Sequence, residues 1–221
     1  MLIIIQGRML SSRLPGKGFF TFFDELIINR ICRIAKGISG NNTIVFATGD
    51  NEENQIILDY IKDKDIEIFV GSEDNVLERF VNVINKHKEE DIICRLTADN
   101  YLIQPTLLDE LYYKMIIDES QYAYIDPLSH YAGEIINKDI LLDLYNSEYS
   151  EYSKEHVTWD IRQNINIKKT ILDKNYFNIN HLDSITLDTV YDLIKMKEIE
   201  NLYPNMKNVN CLEDLRGLNH N

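Results

Sequence analysis

Three cations in one short loop near the start of the chain have the residue types and spacing to bind phosphate. Arg8, Arg13 and Lys17 fall within ten residues of one another. Small residues accompany them at Gly7, Ser11, Ser12 and Gly16. Guanidinium and ammonium groups bind phosphate oxygens, and small residues let backbone N–H groups approach the same oxygens. The loop therefore predicts a polyphosphate site, with a basic surface loop that binds nothing as the alternative.

Two common phosphate-binding patterns do not fit this loop. In the pattern G-x-x-x-x-G-K-[ST], Gly16 and Lys17 are in place, but Ser11 stands at the first glycine and Gly18 at the final hydroxyl residue. In the dinucleotide pattern G-x-G-x-x-G, Met9 stands at the second glycine. The loop is therefore neither a P-loop nor a dinucleotide fingerprint.

Two aspartates could supply the acidic part of the same site. Asp99 and Asp188 each follow a short apolar run, at residues 92–96 and 185–187. In a parallel sheet both carboxylates would emerge at the carboxyl edge, beside the loop that follows Ile5, where ligands bind. Two carboxylates beside three cations predict a Mg²⁺ ion held together with a polyphosphate. The alternative for each aspartate is a turn or a helix cap.

The elements that must position these groups follow a regular alternation over roughly the first half of the chain. Continuous apolar runs predict buried strands at residues 2–5, 42–48, 67–70 and 91–97. Apolar residues at helical spacing follow each run, in segments near 26–40, 56–61, 76–84 and from 105 onward. Four strand–helix units predict an α/β fold with a doubly wound, mostly parallel sheet. The loops at its carboxyl edge would be 7–18, 48–51, 71–73 and 98–104.

The alternation breaks between residues 119 and 182. This region contains seven tyrosines, the only tryptophan (Trp159) and three of the five histidines, at positions 130, 156 and 181. We expect a single domain over residues 1–221, with 119–182 as an inserted lobe that forms a homodimer contact, since aromatic side chains are enriched at interfaces. The strand pattern resumes at residues 184–189 and continues into a helix.

The charge of the chain restricts its partners. The net charge is −13, yet residues 1–40 hold six Lys and Arg against two Asp and Glu, which leaves −17 on the rest. An acidic protein with one cationic corner fits a small anionic ligand, and it excludes a general nucleic-acid binder or an acidic membrane surface as partner.

The cysteines and the N-terminal pattern indicate the compartment. Cys32, Cys94 and Cys211 are odd in number and widely spaced, which is typical of reduced structural thiols. The chain starts with a strand pattern instead of a signal peptide, and its apolar runs fall short of the roughly 18 residues that span a bilayer. We expect a cytoplasmic protein without a membrane segment.

The loop at residues 6–17, QGRMLSSRLPGK, resembles the N-terminal signature Q-A-R-M-x-S-x-R-L-P-G-K of the cytidylyltransferase superfamily, in the branch named for spore-coat polysaccharide protein SpsF. Later segments are similar to that branch in the same order. Residues 47–50 resemble A-T-S-D, 71–80 resemble G-S-E-D-D-V-L-D-R-Y, and 95–103 resemble R-I-T-G-D-C-P-L-I. Residues 155–158 match E-H-V-T, and 186–189 resemble T-V-D-T. The resemblance covers nearly the whole chain.

The resemblance implies the activity of a nucleotidyltransferase with a Rossmann-like fold. Such an enzyme transfers CMP from CTP to a sugar or sugar-acid acceptor, releases pyrophosphate, uses Mg²⁺ and serves surface glycan biosynthesis. The catalytic residues it implies are Arg13, Lys17 and Asp99, and the metal ligands are Asp99 and Asp188. The nucleotide contacts it implies are Gln6, Gly7, Arg8, Met9, Ser12, Arg13, Lys17, Thr48, Asp50, Ser72, Arg79 and Arg95. The resemblance also implies that Glu134 and His156 bind the acceptor, and that the region 119–182 helps to hold it.

Several positions depart from the family pattern and leave alternatives open. Gly7 replaces alanine, Ala98 replaces glycine, Asn100 and Tyr101 replace Cys-Pro, and an aromatic segment at 18–25 replaces G-K-P. The alternatives are therefore that the acceptor is phosphorylated, that the enzyme uses UTP in place of CTP, or that the chain is a catalytically idle nucleotide-binding scaffold subunit. Structural ion pairs are the alternative for Arg79 and Arg95, and a structural role is the alternative for His156.

Overall fold

Strands and helices alternate along the chain. A computed structural model describes residues 1–101, 103–126, 133–173 and 186–202. The strands are β1 (Leu2–Gln6), β2 (Thr21–Phe22), β3 (Glu25–Leu26), β4 (Thr43–Gly49), β5 (Glu67–Gly71), β6 (Ile92–Thr97), β7 (Tyr122–Asp126), β8 (Glu134–Asn137) and β9 (Lys169–Asp173). The helices are α1 (Ile27–Gly37), α2 (Gln55–Ile61), α3 (Val76–Lys86), α4 (Pro105–Ile117), α5 (Lys138–Tyr145), α6 (Glu151–His156), α7 (Trp159–Gln163) and α8 (Val190–Leu202).

Seven of these strands form one sheet, in the order β5-β4-β1-β6-β8-β7-β9. Strand β1 lies between β4 and β6 and runs parallel to both, and β5 extends this parallel half beyond β4. Strand β8 is antiparallel to β6 and β7, whereas β9 is parallel to β7. The predicted α/β fold with a mostly parallel sheet is confirmed.

The composition of β1 explains its central position. Ile3 and Ile5 pack into the hydrophobic cluster on one face of the sheet, and Leu2 and Ile4 pack into the cluster on the other. All four side chains are fully buried. Helices α1 and α4 contribute to the first cluster and helix α3 to the second, so the strand is covered on both sides. A strand buried on both faces is apolar at every position, which is the pattern that the sequence shows.

The region between residues 119 and 182 corrects the expectation of an inserted lobe. Its described strands β7, β8 and β9 are members of the main sheet, and helices α5 and α6 pack against α3. The strands were hidden in the sequence because they are short and because tyrosines, at Tyr122 and Tyr124, take positions that aliphatic residues hold in β1. A contribution of this region to a dimer or to acceptor binding stays a prediction.

Two of the segments that depart from the family pattern pack against each other. The segment at 18–25 forms a hairpin of β2 and β3, and Phe22 lies edge-on to Tyr101 with ring centroids 4.9 Å apart. Arg30 donates a 2.6 Å hydrogen bond to the Tyr101 carbonyl, and its guanidinium lies over the Phe22 ring. Both rings are buried. The two departures therefore compensate one another, because Phe22 of one segment and Tyr101 of the other form a single aromatic contact.

The approach to Asp188 differs from the expected parallel strand. Thr186 forms an antiparallel bridge with Asn100, and the Leu187 amide donates a 2.8 Å hydrogen bond to the Asp99 carbonyl. The predicted strand begins at residues 184–185, which lie outside the described residues, as do Cys211 and the histidines at 130 and 181.

Among the helices in the described ranges, none combines the length and the apolar composition that crossing a bilayer requires. Cys32 and Cys94 are buried free thiols, and burial raises the pKa of Cys32 to about 11. A thiol with that pKa stays protonated at neutral pH, which agrees with a structural role.

Candidate active site

The loop after β1 is held in shape by backbone contacts. Gly16 adopts a left-handed conformation, with φ of 68°, and its amide donates a 2.8 Å hydrogen bond to the Met9 carbonyl. The Met9 amide in turn donates to Asn54 Oδ1 at 2.8 Å. The loop is therefore closed on itself and fixed to the segment that follows β4. A positive φ at this turn favours glycine, which accounts for Gly16 in the sequence.

A cavity of about 550 Å³ opens at the carboxyl ends of β1 and β6. Twelve of the predicted site residues line it. They are Gln6, Gly7, Arg8, Met9, Ser12, Arg13, Lys17, Arg79, Arg95, Asp99, His156 and Asp188. Its position agrees with the rule that ligands bind at the carboxyl edge of a parallel sheet.

Lys17 lies between the two aspartates proposed from the sequence. Its ammonium donates a hydrogen bond to Asp99 Oδ2 and a second one, of 2.9 Å, to Asp188 Oδ1. Burial alone would lower the pKa of Lys17, but the charges and hydrogen bonds of Asp99 and Asp188 raise it above its ordinary value of 10.5. The lysine is therefore a firmly protonated counterion of both carboxylates.

Asp188 is free of the capping role that was its alternative interpretation. The cap of helix α8 is formed by Thr189 and Asp192, because Asp192 Oδ2 accepts the Thr189 amide at 2.8 Å and Thr189 Oγ1 accepts the Asp192 amide at 3.2 Å. This reciprocal pair is a capping box. The Asp188 carboxylate instead contacts Lys17 and, at 3.3 Å, the guanidinium of Arg13.

The two carboxylates have the donor chemistry of a magnesium site that is completed by a ligand. Asp99 Oδ1 is buried and has no hydrogen-bond partner in the described structure. Across the described ranges, no group of three or more His, Cys, Asp or Glu side chains is arranged to hold a metal by itself. Magnesium commonly takes one or two protein carboxylates and completes its shell with water and substrate phosphates. Asp99 and Asp188 fit that arrangement.

The two arginines of the loop differ in their surroundings. Arg13 is 63% exposed in its side chain and lies 3.3 Å from the Asp188 carboxylate, whereas Arg8 donates a 3.3 Å hydrogen bond to Glu155 and lies 3.9 Å from Glu73. Both line the cavity. Ion pairs near the surface are weak, so these two arginines can move to a more highly charged ligand at small cost.

Arg79 is a buried cation in the cavity wall. It is 1% exposed, donates a 2.9 Å hydrogen bond to the Ser72 carbonyl, and carries an Nε atom without a partner in the described structure. Burial lowers its pKa to about 10, with Glu73 opposing that shift and Arg8 adding to it. The guanidinium is therefore charged at neutral pH and retains an unused donor beside the cavity.

Arg95 is the centre of a second buried polar group. Its Nε donates a 2.9 Å hydrogen bond to Gln6 Oε1, and its Nη1 pairs with the carboxylate of Glu134. Gln6 and Arg95 line the cavity. Glu134, which the family resemblance places at the acceptor, is 0% exposed and lies behind Arg95 outside the cavity lining.

Three predicted nucleotide contacts also lie outside the cavity lining. Thr48 is fully buried in β4. Asp50 Oδ1 accepts the Glu73 amide at 3.1 Å, and Ser72 Oγ accepts the Asn75 amide at 3.0 Å. The last two side chains thus stabilise the turns around the start of α3, and direct nucleotide contact by any of the three stays a prediction.

His156 also lines the cavity. Burial lowers its pKa below the ordinary value of 6.5; the charges of Arg95 and Arg162 lower it further, while Glu155 and Asp188 oppose the shift. His156 is therefore neutral at pH 7 and able to accept or donate a hydrogen bond.

Among the lining residues that sequence reasoning missed, four are charged or aromatic and fall between residues 126 and 162. They are Asp126, Glu155, Trp159 and Arg162. Arg162 stacks over the Trp159 indole with its Cζ 5.3 Å from the ring centroid, as expected for residues three apart on a helix. A usable signal was present, because Trp159 directly follows the E-H-V-T segment and Arg162 comes one helical turn later.

Comparisons with known proteins place this chain among related sequences. Residues 2–214 match the family model described as Cytidylyltransferase. Spore coat polysaccharide biosynthesis protein SpsF of Bacillus subtilis (strain 168) is 36% identical over 170 residues, covering 73% of this chain and 70% of that protein. The 3-deoxy-manno-octulosonate cytidylyltransferase of Photorhabdus laumondii is 25% identical over 177 residues, 77% of this chain and 69% of that protein.

The fold has solved counterparts as well. The structure of a cytidylyltransferase from Leptospira borgpetersenii superposes with a TM-score of 0.74 at 22% identity, covering 95% of this chain and 97% of that one. At this identity the likeness shows the shared α/β architecture alone.

Proposed function

Because this chain belongs to the cytidylyltransferase family and is thus a nucleotidyltransferase, we propose that it transfers CMP from CTP to a sugar or sugar-acid acceptor. A hydroxyl oxygen of the acceptor attacks the α-phosphorus of CTP and forms a new P–O bond. The bond from that phosphorus to the bridging oxygen of the β-phosphate breaks, so pyrophosphate leaves, and the hydroxyl proton passes to solvent. The observation that carries this proposal is the meeting of Lys17, Asp99 and Asp188 at the carboxyl edge of the sheet.

In this proposal the loop cations hold the phosphates that leave. Arg8, Arg13 and Lys17 come from one loop whose backbone is fixed by the Gly16 and Met9 hydrogen bonds. These positive side chains, placed beside the departing pyrophosphate, stabilise the negative charge that develops on it in the transition state. Such stabilisation is the main catalytic contribution in phosphoryl-type transfers. Arg79 and Arg95 would contact the remainder of the nucleotide, since both are cations that line the cavity.

Asp99 and Asp188 would hold Mg²⁺ at this site. When bound, Mg²⁺ withdraws electron density from the α-phosphate and orients the attacking oxygen. The residues contribute two carboxylates with one unpartnered buried oxygen, Asp99 Oδ1. Their positions are fixed by the Asn100–Thr186 bridge and the hydrogen bond from Leu187 to Asp99.

The acceptor would lie against the part of the cavity wall formed by His156, Trp159 and Arg162. A guanidinium or a neutral imidazole can bind the hydroxyl or carboxylate groups of a sugar acid. The names of the relatives, a polysaccharide biosynthesis protein and a sugar-acid cytidylyltransferase, support this class of acceptor. A phosphorylated acceptor or UTP remains the alternative within the same chemistry.

The test is pyrophosphate release. The protein is incubated with each of the four nucleoside triphosphates, MgCl₂ and a panel of sugar acids and sugar phosphates, with Asp99→Asn as the inactive control. We expect release with CTP and a sugar acid only. Release with UTP or with a sugar phosphate would replace the proposed substrates. Nucleotide binding without any release would favour the idle scaffold subunit.

A further inference from the structure

A fully buried carboxylate lies directly behind the cavity. Glu134 is 0% exposed and accepts hydrogen bonds from three side chains: Arg95 on β6, Tyr122 on β7 and Thr158 at the start of α7. Arg95 and Glu134 are opposite one another in the antiparallel register of β6 and β8. The geometry of the sheet therefore sets this pair, and the surrounding helices close it off from water.

The polar group interrupts an otherwise apolar face of the sheet. The side chains in the preceding row, Leu2, Ile93 and Ile136, are all buried in the hydrophobic cluster on this face. Burial of an ion pair costs desolvation energy, and an apolar replacement of the same shape is often as stable or more so. A buried pair at this position is therefore poorly explained by stability alone.

The hydrogen bonds around Glu134 fix the orientation of the Arg95 guanidinium. Burial and the charge of Glu134 raise the pKa of Tyr122 well above its ordinary value, so the phenol remains a donor. Arg95 has five N–H groups. One is fixed by Gln6 Oε1 and another by Glu134, and Arg95 lines the cavity. Two fixed ends of a planar guanidinium define the direction of the remaining donors.

A strained turn supports the same carboxylate. Val157 has φ of 48° and ψ of −57°, an unusual conformation for a β-branched residue, and it is fully buried. This turn lets His156 face the cavity while Thr158, two residues later, reaches Glu134. Strain of this kind is retained where the surrounding structure requires a specific geometry.

We infer that Glu134 is a positioning residue for the nucleotide end of the site: its buried carboxylate holds the Arg95 guanidinium, together with Gln6, in the orientation in which Arg95 binds the nucleotide. The inference rests on the proposed function in taking Arg95 as a nucleotide contact. It replaces the predicted contact of Glu134 with the acceptor. Glu134 acts through Arg95 and touches no substrate.

The test compares Glu134→Gln, which keeps the shape and removes the charge, with Tyr122→Phe, which removes another donor to the same carboxylate and leaves the Arg95 pair intact. CTP affinity is measured by calorimetry in MgCl₂ and by the fluorescence of Trp159, the only tryptophan and part of the cavity wall. We expect Glu134→Gln to weaken CTP binding about tenfold or more, as for a lost charge-assisted contact. Tyr122→Phe should bind CTP nearly as the wild type does.

A double-mutant cycle separates positioning from a general structural effect. In an Arg95→Met background the added effect of Glu134→Gln on CTP affinity should vanish, because the group through which it acts is absent. An equal loss in both backgrounds, or equal losses in Glu134→Gln and Tyr122→Phe, would overturn the inference and leave a merely structural carboxylate.

A measurement without nucleotide keeps the inference independent of the proposed function. The Arg95 Nε–H resonance, assigned with Arg95→Lys, should be sharp and slow to exchange in the wild type and in Tyr122→Phe. It should broaden or exchange faster in Glu134→Gln. A wild-type protein that binds no CTP would defeat the proposed function, whereas an unchanged Arg95 signal in Glu134→Gln would defeat the positioning role.

Discussion

Lys17 Nζ donates a 2.9 Å hydrogen bond to Asp188 Oδ1, across 171 positions of the sequence. The same ammonium contacts Asp99, so one cation neutralises both carboxylates of the proposed metal site. Lys17 and a divalent ion bound by the Asp99 and Asp188 carboxylates would compete for the same space and the same negative charge. A triphosphate would remove the competition, because it offers Lys17 another anionic partner.

We therefore predict that replacing Lys17 changes metal binding in the absence of nucleotide. Lys17→Met should bind Mn²⁺ at least about tenfold more tightly than the wild type, because a positive charge in contact with both carboxylates is removed. Electron paramagnetic resonance of free Mn²⁺ measures this affinity. Lys36→Met, an exposed lysine of α1, is the control. Equal Mn²⁺ affinity in all three proteins would show that Lys17 does not exclude the metal.

Asp188→Asn and Asp99→Asn should abolish turnover far more than CTP binding. Each change keeps the side-chain shape and removes a charge whose effect is largest in the transition state. Stability should change little for Asp188→Asn, because Thr189 and Asp192 form the helix cap. Asp192→Ala is the matched control and should cost about 1 kcal/mol of unfolding free energy with a smaller loss of activity. Near-normal turnover in Asp188→Asn would reject its metal role.

Gly7 and Ala98 form a complementary pair. A Cβ atom on Gly7 would lie 2.8 Å from Ala98 Cβ and 2.8 Å from Phe46 Cζ. Gly7→Ala should therefore destabilise the protein by about 1 to 3 kcal/mol, the usual cost of overpacking. The double variant Gly7→Ala with Ala98→Gly should lose less stability than the sum of the two single variants, as chemical denaturation would measure.

Gly18→Ala serves as the control for this pair, because its nearest heavy atoms would be at 3.7 Å or more. It should be close to the wild type in stability. Strictly additive effects of the Gly7 and Ala98 changes would show that the two positions relax independently. The family pattern has alanine at position 7 and glycine at position 98. In either arrangement, one residue of the pair carries the methyl group and the other leaves room for it.

The titration of His156 predicts a pH dependence of stability. Burial lowers its pKa in the folded protein, while the unfolded chain titrates near 6.5. The stabilising effect of neutral His156 is therefore fully present above pH 6.5 and is lost as the pH falls toward the lower folded pKa, since protons then bind the unfolded chain preferentially. His156→Gln should flatten the decline in melting temperature between about pH 6.5 and 5. Equal slopes for both proteins would contradict this.

The protein is predicted to form a homodimer through the region 119–182. Large apolar side chains are exposed in its described part, with Tyr152 at 63%, Ile165 at 93% and Ile171 at 51%. Light scattering at micromolar concentration should give a dimer mass, and Ile165→Glu with Ile171→Lys should give a monomer. Ile56→Glu, which changes an exposed isoleucine on α2, is the control. A monomeric wild type would contradict the prediction.

The first half of the fold was predictable because each of its strands is a continuous apolar run. The run at residues 2–5 and the run at 92–96 both became central strands, with the helix predicted near residue 105 beginning at Pro105. The apolar runs of the strands and the helical spacing of the segments between them both involve residues that are close in sequence. These patterns are therefore visible without knowledge of the fold.

The second half was not predictable in the same way. Strand β8 carries the buried Glu134, a residue type that normally indicates the surface, because its partner Arg95 comes from a strand about forty positions earlier. Likewise, Thr186 pairs with Asn100 through a single antiparallel bridge, which leaves no periodic signal. Pairings between distant segments decide both features.

The same limit applies to the candidate site. Lys17, Asp99 and Asp188 could be proposed together because cations and carboxylates at strand ends suggest a phosphate and a metal. Trp159 and Arg162 could not be placed in the cavity from residue type alone, since a tryptophan beside an arginine on a short helix is more often an exposed pair. The packing of α7 against α5 and α6 brings them to the cavity.

The central position of β1 has a consequence for protein synthesis. This strand leaves the ribosome before either of its partners, because its two hydrogen-bonding edges are completed by β4 and by β6, the latter ending at Thr97. Until β6 has emerged, a fully apolar strand has at least one open edge, which is the type of segment that joins other chains. Translation speed between the codons of β1 and those of β6, and the chaperones that bind the nascent chain over that interval, should therefore affect the soluble yield of this protein.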